Sequence, residues 1–541
     1  MVPRRAAGPS RWVPLASAAG LVALVALLYA PALDFDFVGL DDPFHVTGNP
    51  GVRAGLGAEG LRAAFRAQAG YWIPLTWLSH ALDVELYGLD AGGHHATNVL
   101  LHALNAVLLF AFLRRATGDA PAALGVAALF AAHPLRVESV AWIAERKDVL
   151  SGACFWLALL AWDRYRRRAS RAALAAATAA WIASLAAKPM AVTLPLLLCA
   201  LDFWPYRRIA SAADLRRALR EKLPLFALAA GFAALTLATQ ARAGALGALG
   251  GLDFEVGIPQ RAANALYSIA RYLEASVWPR DLAPLYPHPY LPGGVPPSAA
   301  ALAGSLALVA GISLAAAALR ERAPALLAGW LWFLIALLPV LGLVQAGVQG
   351  RADRFTYLPH AGLLIAAVFP LARWAAARRR AAAGLALVAL AATLALARAT
   401  REKLPHWRDA ESLYRHALRA APASGLLRTY YGLWLAQQGR PQEALVQYEQ
   451  AAGIPAFAPA AELNRAVVLE SAGLAPEALA AFERAALLAP DSAPIRMALA
   501  QALLRRGRRE DALPHLERAR ALERAERGNA APGGIRDTRA P

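Results

Sequence analysis

Long runs of Ala, Leu and Val recur along the first 400 residues, separated by short clusters of arginine. The first, residues 12–33, carries no charge over about 20 positions, the length a helix needs to cross roughly 30 Å of hydrocarbon. It follows Met1-Val-Pro-Arg-Arg, a flank that also suits a signal peptide. The run is longer than a typical signal h-region and no A-x-A site follows, so it reads as an uncleaved first span. Further apolar blocks cover 97–113, 120–134, 149–163, 171–187, 189–204, 223–241, 299–319, 324–343, 357–375 and 381–398. Together they predict an all-α, polytopic membrane domain of about 11 spans over residues 1–400.

The polar gaps alternate in character. Arg114-Arg115, 164–171, 207–222, 320–322 and 373–380 are basic, and the positive-inside rule places them in the cytoplasm. The intervening gaps 34–96, 133–148, 242–298 and 344–356, with the surroundings of Lys188, then face outside, as does the C-terminal region. Residues 263–279 are helical in pattern but carry Arg271 and Glu274. Crossing there would invert every later gap, so an interfacial helix anchored by Tyr272 and Trp278 is expected.

After residue 400 the period changes. Gly439, Gly473 and Gly507 are 34 residues apart, as are Ala410, Ala444, Ala478 and Ala512, and Tyr414, Tyr448, Phe482 and Leu516. A glycine closing one helix, then a small and a large residue on the next, is the tetratricopeptide pattern and predicts an α-solenoid over 401–525. The tail, 526–541, is rich in Gly, Pro, Ala and Arg and is expected to be disordered.

Composition sharpens this picture in three places. The chain is 58% hydrophobic, beyond what a soluble protein of 541 residues carries. The net charge of +18 is spread through the inter-span clusters, with no basic face on a soluble domain, which argues against nucleic-acid binding. Only Lys147, Lys188, Lys222 and Lys403 are lysines, an Arg and Ala bias that points to a GC-rich, bacterial genome. Cys154 and Cys199 lie in apolar runs and form neither a disulfide framework nor a Cys-rich metal site.

Candidate chemistry lies in the outside gaps. Asp41 and Asp42 adjoin the first span; adjacent carboxylates repel, which raises one pKa and suits a general base, and such a pair can also hold a divalent cation. The same residues also make an ordinary Asp-Asp-Pro turn. Tyr71, Trp72 and Trp77 suit a sugar face or the aromatic belt. His94 and His95 are neighbours on a helix and point about 100° apart, which disfavours a shared metal. His133, Arg136, Glu138, Glu145, Arg146, Lys147 and Asp148 crowd between two apolar runs, where charges line a cavity or pair with each other. Lys188, Arg351 and Arg354 are cations on the unexpected side and could seat a lipid-linked phosphate; snorkelling of Lys188 and an Arg354–Asp353 pair are the structural alternatives.

These residues carry a resemblance. Asp41-Asp42 after the first span, Pro74-Leu-Thr, His95-Ala-Thr-Asn-Val-Leu-Leu-His, His133-Pro-Leu-Arg-Val-Glu-Ser, Lys188-Pro-Met-Ala-Val-Thr and Ala352-Asp-Arg-Phe-Thr-Tyr-Leu-Pro resemble bacterial members of the transmembrane-and-tetratricopeptide, or TMTC-like, family. The resemblance implies a GT-C membrane fold and an inverting glycosyltransferase that moves mannose or another hexose from a polyprenyl-phosphate donor to a protein hydroxyl. By position it makes Asp41 or Asp42 the catalytic base; the cations on the outside then place the donor phosphate at Arg354, with Arg351 and Lys188 as weaker candidates. His133, Glu138, Arg146, His94 and His95 are further site candidates. No cofactor is implied with certainty; a divalent cation, if used, would sit at Asp41 and Asp42. Lys188-Pro stands where animal relatives often have Lys-Glu. The implied setting is the cytoplasmic (inner) membrane, with the repeats outside and holding a polypeptide acceptor. A non-catalytic repeat scaffold, and a glycan ligase or polymerase with a saccharide acceptor, remain as alternatives.

Overall fold

The structure is a computed structural model that describes residues 12–68, 70–243, 248–249, 252–253, 256–280, 282–291, 294–345 and 347–529. It is all-α, with strands only two or three residues long. Two compact units divide the chain, the first running to His416 apart from Pro292–Gly294, the second made up chiefly of the residues from Ala417 onward. The division falls beyond residue 400 because Leu404, Trp407 and Leu413 are buried in the core of the first unit.

Every apolar block of the first unit is helical, but the helices are unequal. Val13–Asp34, Ala91–Thr117, Leu223–Arg242, Ala299–Ala318 and Arg379–Trp407 are long and apolar enough to cross a membrane, and Ala120–Ala132 with Pro134–Ala141 makes a sixth if that pair, bent by 62°, counts as one span. Arg171–Ala187, Pro189–Phe203 and Pro324–Val340 are apolar but shorter. The chain is therefore a multi-pass membrane protein; among the described residues five or six helices are full-length by length and composition, and the other apolar blocks form shorter or charge-flanked helices. Part of the difference is charge: the helix Arg146–Arg168 opens on Arg146-Lys147-Asp148 and closes on three arginines.

The core between these helices is aromatic. Trp156 stacks on Trp332 with ring centroids 5.8 Å apart, and Phe155 meets Trp332 edge-on. Buried amides fix the neighbours. Asn105 donates to the carbonyls of Leu101 and Val149, both at 2.7 Å, and Asn98 donates to Val140 and Trp142. The helices Ala91–Thr117 and Arg146–Arg168 run parallel. Asn98 lies beside Arg146 at their starts, and Arg115 meets Asp163 at 3.3 Å at their ends. Asp163 also takes Arg167 at 2.9 Å, and Asp202 pairs with Lys222 and Arg208. One end of the unit thus gathers arginines; the other gathers the loops that carry the candidate chemistry.

The segment 263–279 lies in the helix Ile258–Val277, which is not among the long apolar helices. Its buried face cradles the strand Gln349–Arg351. Asn264 and Ser268 donate to the Gly350 carbonyl at 3.0 and 3.3 Å, and the Tyr272 hydroxyl accepts from the Ala352 amide. Its ends, Ile258 and Val277, are each 80% exposed. Residues on this helix therefore set the position of Arg351 and Arg354.

The second unit is built of helix pairs: Gly425–Gln437 with Pro441–Ala452, Ala458–Ser471 with Ala475–Leu488, and Ala493–Arg505 with Arg509–Asn529. Gly439, Gly473 and Gly507 sit at the turn of each pair with φ of +71°, +77° and +76°, a conformation that costs glycine little. Ala444, Ala478 and Ala512 are fully buried, and Tyr448 and Phe482 fill the space beside them. The last helix continues to Asn529, so residues 526–529 of the expected tail are helical; 530–541 lie outside the described residues.

The helices Pro324–Leu337 and Pro359–Ala376 approach each other closely at their backbones. A Cβ on Gly362 would lie 2.5 Å from the Gly329 carbonyl oxygen and 2.8 Å from the Phe333 amide nitrogen. Small residues permit this approach, as they do between membrane helices generally. Gly362→Ala is expected to force the helices apart and cost about 1–3 kcal/mol, read as a lowered thermal midpoint of the detergent-solubilised protein.

Candidate functional site

The loop after the first helix is held by backbone contacts. The Asp36 amide donates to the Arg408 carbonyl at 2.9 Å and the Tyr414 hydroxyl to the Gly39 carbonyl at 3.0 Å. Within this frame the adjacent carboxylates diverge. Asp42 is 1% exposed and points inward, where one oxygen accepts from the Val38 amide at 2.7 Å and the other from the Ala144 amide at 2.8 Å. Burial pushes its pKa up to about 7; the two amides oppose this and the charge of Asp41 adds a smaller push. Repulsion between the pair, the cause expected from sequence, is thus secondary to burial. Asp41 is exposed. Of the two, only Asp41 is open to a molecule from solvent.

Asp42 grips the turn that begins the charged cluster. Glu145 lies at its centre, with Lys147 Nζ at 3.0 Å, Lys188 Nζ at 3.1 Å and Arg354 Nε at 3.1 Å. Lys188 also pairs with Asp148 at 2.7 Å, and Asp148 accepts from the Ser139 hydroxyl. Arg354 closes the other side by pairing with Glu138, whose second oxygen accepts from the Arg354 amide at 2.8 Å. Three carboxylates and three cations, with Lys188 and Arg354 only partly buried, are therefore gathered together in equal number. Burial opposes ionisation of Glu145, but Lys147, Lys188 and Arg354 outweigh it and hold the carboxyl well below the usual range. The charge of Asp41 reaches both Lys147 and Arg354.

The partner of Arg354 is not Asp353. The Asp353 carboxylate accepts from the Tyr286 hydroxyl at 3.0 Å, and burial, then the charge of Glu138, push its pKa up to about 8. Arg351 lies over the Tyr286 ring, 3.9 Å from its centroid, and makes no ion pair among the described residues.

The remaining candidates separate. His133 accepts from the Leu135 amide through Nδ1 and meets the Ser276 carbonyl through Nε2 at 3.1 Å, so both ring nitrogens serve the fold. Arg136 is fully buried and donates to Thr356 and Tyr357, which fixes the segment after Arg354. Arg146 turns away from Glu145 toward Asp83, at 2.6 Å, beside His94 and His80. His95 packs against Phe35. Sequence reasoning passed over His80 and Asp83, although their i, i+3 spacing in Ser79-His80-Ala81-Leu82-Asp83 puts both on one helix face. A divalent cation at Asp41 and Asp42 would share Asp42 with the two amides that already hold it.

No known protein-family model matches the chain. The chain is 33% identical over 198 residues to Protein O-mannosyl-transferase Tmtc1 of Drosophila melanogaster, covering 35% of this chain and 22% of that protein. It is 34% identical over 162 residues to Protein O-mannosyl-transferase TMTC1 of Mus musculus, covering 28% and 17%, and 34% identical over 155 residues to Tmtc2 of Drosophila melanogaster, covering 27% and 16%. The matched part thus spans roughly a fifth of the length of the curated relatives. These likenesses agree with the TMTC-like resemblance.

Two predictions follow from the cluster. Glu145→Gln removes one buried charge from this matched set, and is expected to destabilise the protein by about 3–5 kcal/mol in thermal unfolding. The second concerns pH. The folded pKa of Asp42, about 7, lies above its ordinary 3.8, so the folded chain holds this proton more tightly. The associated stability is present below about pH 4 and lost as pH rises through about 7. The thermal midpoint of the wild type should fall across that window relative to Asp42→Asn, which does not titrate there.

Proposed function

We propose that this protein is a GT-C-type membrane glycosyltransferase that transfers a hexose, mannose in the first instance, from a polyprenyl-phosphate donor to a protein hydroxyl. The observation that carries the reading is the exposed carboxylate of Asp41, next in the chain to Asp42, which holds the Ala144 amide directly before Glu145 and its three cations. The names of the relatives supply the acceptor and the sugar. The positive-inside rule supports assigning the arginine-rich end to the cytoplasm and the site to the outer face of the membrane, the side also proposed for the helix-pair unit.

Asp41 takes the proton from a serine or threonine hydroxyl. The oxygen forms a bond to the anomeric carbon as the bond to the lipid phosphate breaks, its electrons leaving with the phosphate. One direct displacement inverts the anomeric configuration. Arg351, which lies over the Tyr286 ring and makes no ion pair among the described residues, gives its charge to the departing phosphate. Arg354 and Lys188, 11% and 12% exposed and anchored through Glu145, complete the phosphate seat and fix its position. The helix-pair unit holds the polypeptide acceptor.

The test compares the two aspartates. Asp41→Asn should lower transfer from polyprenyl-phosphate mannose to a serine- or threonine-bearing peptide by at least about 100-fold with an unchanged thermal midpoint. Asp42→Asn should instead lower the midpoint, by about 1–3 kcal/mol, because an amide cannot accept from both backbone donors. Full transfer by Asp41→Asn would refute the assignment of the base, and absence of transfer by folded wild type would favour a scaffold.

A further inference from the structure

We propose that His80, Asp83 and His94 form a site for a divalent transition-metal ion of the zinc class. His80 and Asp83 lie one turn apart on the helix Pro74–Tyr87, and His94 lies in the first turn of Ala91–Thr117. One donor atom from each falls within 4.8 Å of the other two, and all three side chains are buried.

The hydrogen bonding singles out these atoms. His94 Nε2 meets the Gly88 carbonyl at 3.1 Å, and so carries the proton. Its Nδ1 then keeps a lone pair, 3.5 Å from Asp83 Oδ2. This is the arrangement of a metal-ligating histidine, whose second nitrogen is oriented by a carbonyl. His80 is more telling. It is 0% exposed, and neither ring nitrogen has a hydrogen-bond partner among the described residues. An imidazole buried that way costs free energy that an ion on one nitrogen would offset. Asp83 is oriented from behind, with Oδ1 accepting from the Thr97 hydroxyl at 2.9 Å and Oδ2 from Arg146 at 2.6 Å. Each oxygen retains a second lone pair.

Two neutral nitrogens and one carboxylate select zinc-class ions over magnesium or calcium, which require mostly oxygen. Arg146 does not occupy the imidazoles; its other donors go to the His94 carbonyl at 2.8 Å, the Ser79 hydroxyl at 2.9 Å and Asn98. Its charge lowers the affinity of the site without closing it. A bound ion would tie the two helices across the turn at Gly88 and steady Arg146, the residue that follows Glu145. The site is independent of the proposed transfer reaction.

The test uses the full-length protein in detergent, stripped with a chelator and titrated with Co²⁺ and, separately, Zn²⁺. The wild type should develop the visible absorption of bound Co²⁺ and retain about one Zn²⁺ per chain after desalting. Zn²⁺ should raise its thermal midpoint. His80→Ala and His94→Ala should each weaken binding at least tenfold, whereas Glu85→Gln, on an exposed part of the same helix, should bind as the wild type does. Wild-type protein that shows neither the absorption nor retained zinc overturns the site, whatever the variants do, and leaves Asp83 as the ion-pair partner of Arg146 alone. Undiminished binding by folded His80→Ala with His94→Ala in one chain also overturns it.

Discussion

The burial of Glu145 among three cations is the constraint on which the site depends. An isolated charge at this depth would cost several kcal/mol, and one ion pair recovers that cost only with good geometry. Here Lys147, Lys188 and Arg354 converge on one carboxylate, and Glu138 and Asp148 restore the balance. Because every member answers another, segments far apart in the chain are fixed together: the turn at 143–148, the short helix carrying Glu138, the start of the 189–203 segment at Lys188, and the turn at 353–356. No single helix could hold these groups, since the turn at 143–148 supplies three and each other segment one.

Asp42 extends this arrangement to the first loop. Its two amide partners, Val38 and Ala144, bring the loop down on the turn that precedes Glu145. The neighbouring aspartate is then left at the surface, near the cations but not neutralised by a direct ion pair among the described residues. Adjacent residues of one type thus take opposite roles, one as a clamp and one as the proposed base. The same division appears between Arg351 and Arg354. The second is held by two carboxylates, whereas the first rests on the Tyr286 ring and makes no ion pair among the described residues.

The aromatic core and the glycine contact between Gly329 and Gly362 support the loops from below. Apolar burial between helices brings their ends into register, and the buried amides of Asn98 and Asn105 fix that register through backbone carbonyls. Such bonds are costly to lose where water is excluded. The helix Ile258–Val277 performs the same service from the side, gripping Gly350 and Ala352 ahead of the cationic segment.

Much of this could be read in the chain itself. Apolar runs marked the helices, because removing 20 or so uncharged residues from water leaves few alternatives to a helix. The 34-residue period located the helix pairs, because each turn needs a glycine and each packing position a residue of fixed size. The motif at 133–148 was visible as a concentration of charge. Its pairing was not, because Glu145, Lys188 and Arg354 are brought together only by tertiary packing. For the same reason the sequence could not divide the work between Asp41 and Asp42, whose difference lies in which backbone amides the fold presents. Nor could it turn Arg146 away from Glu145 toward Asp83. Periodicity fixes which face of a helix is buried; the partners that meet that face are decided by the packing of helices distant in the chain.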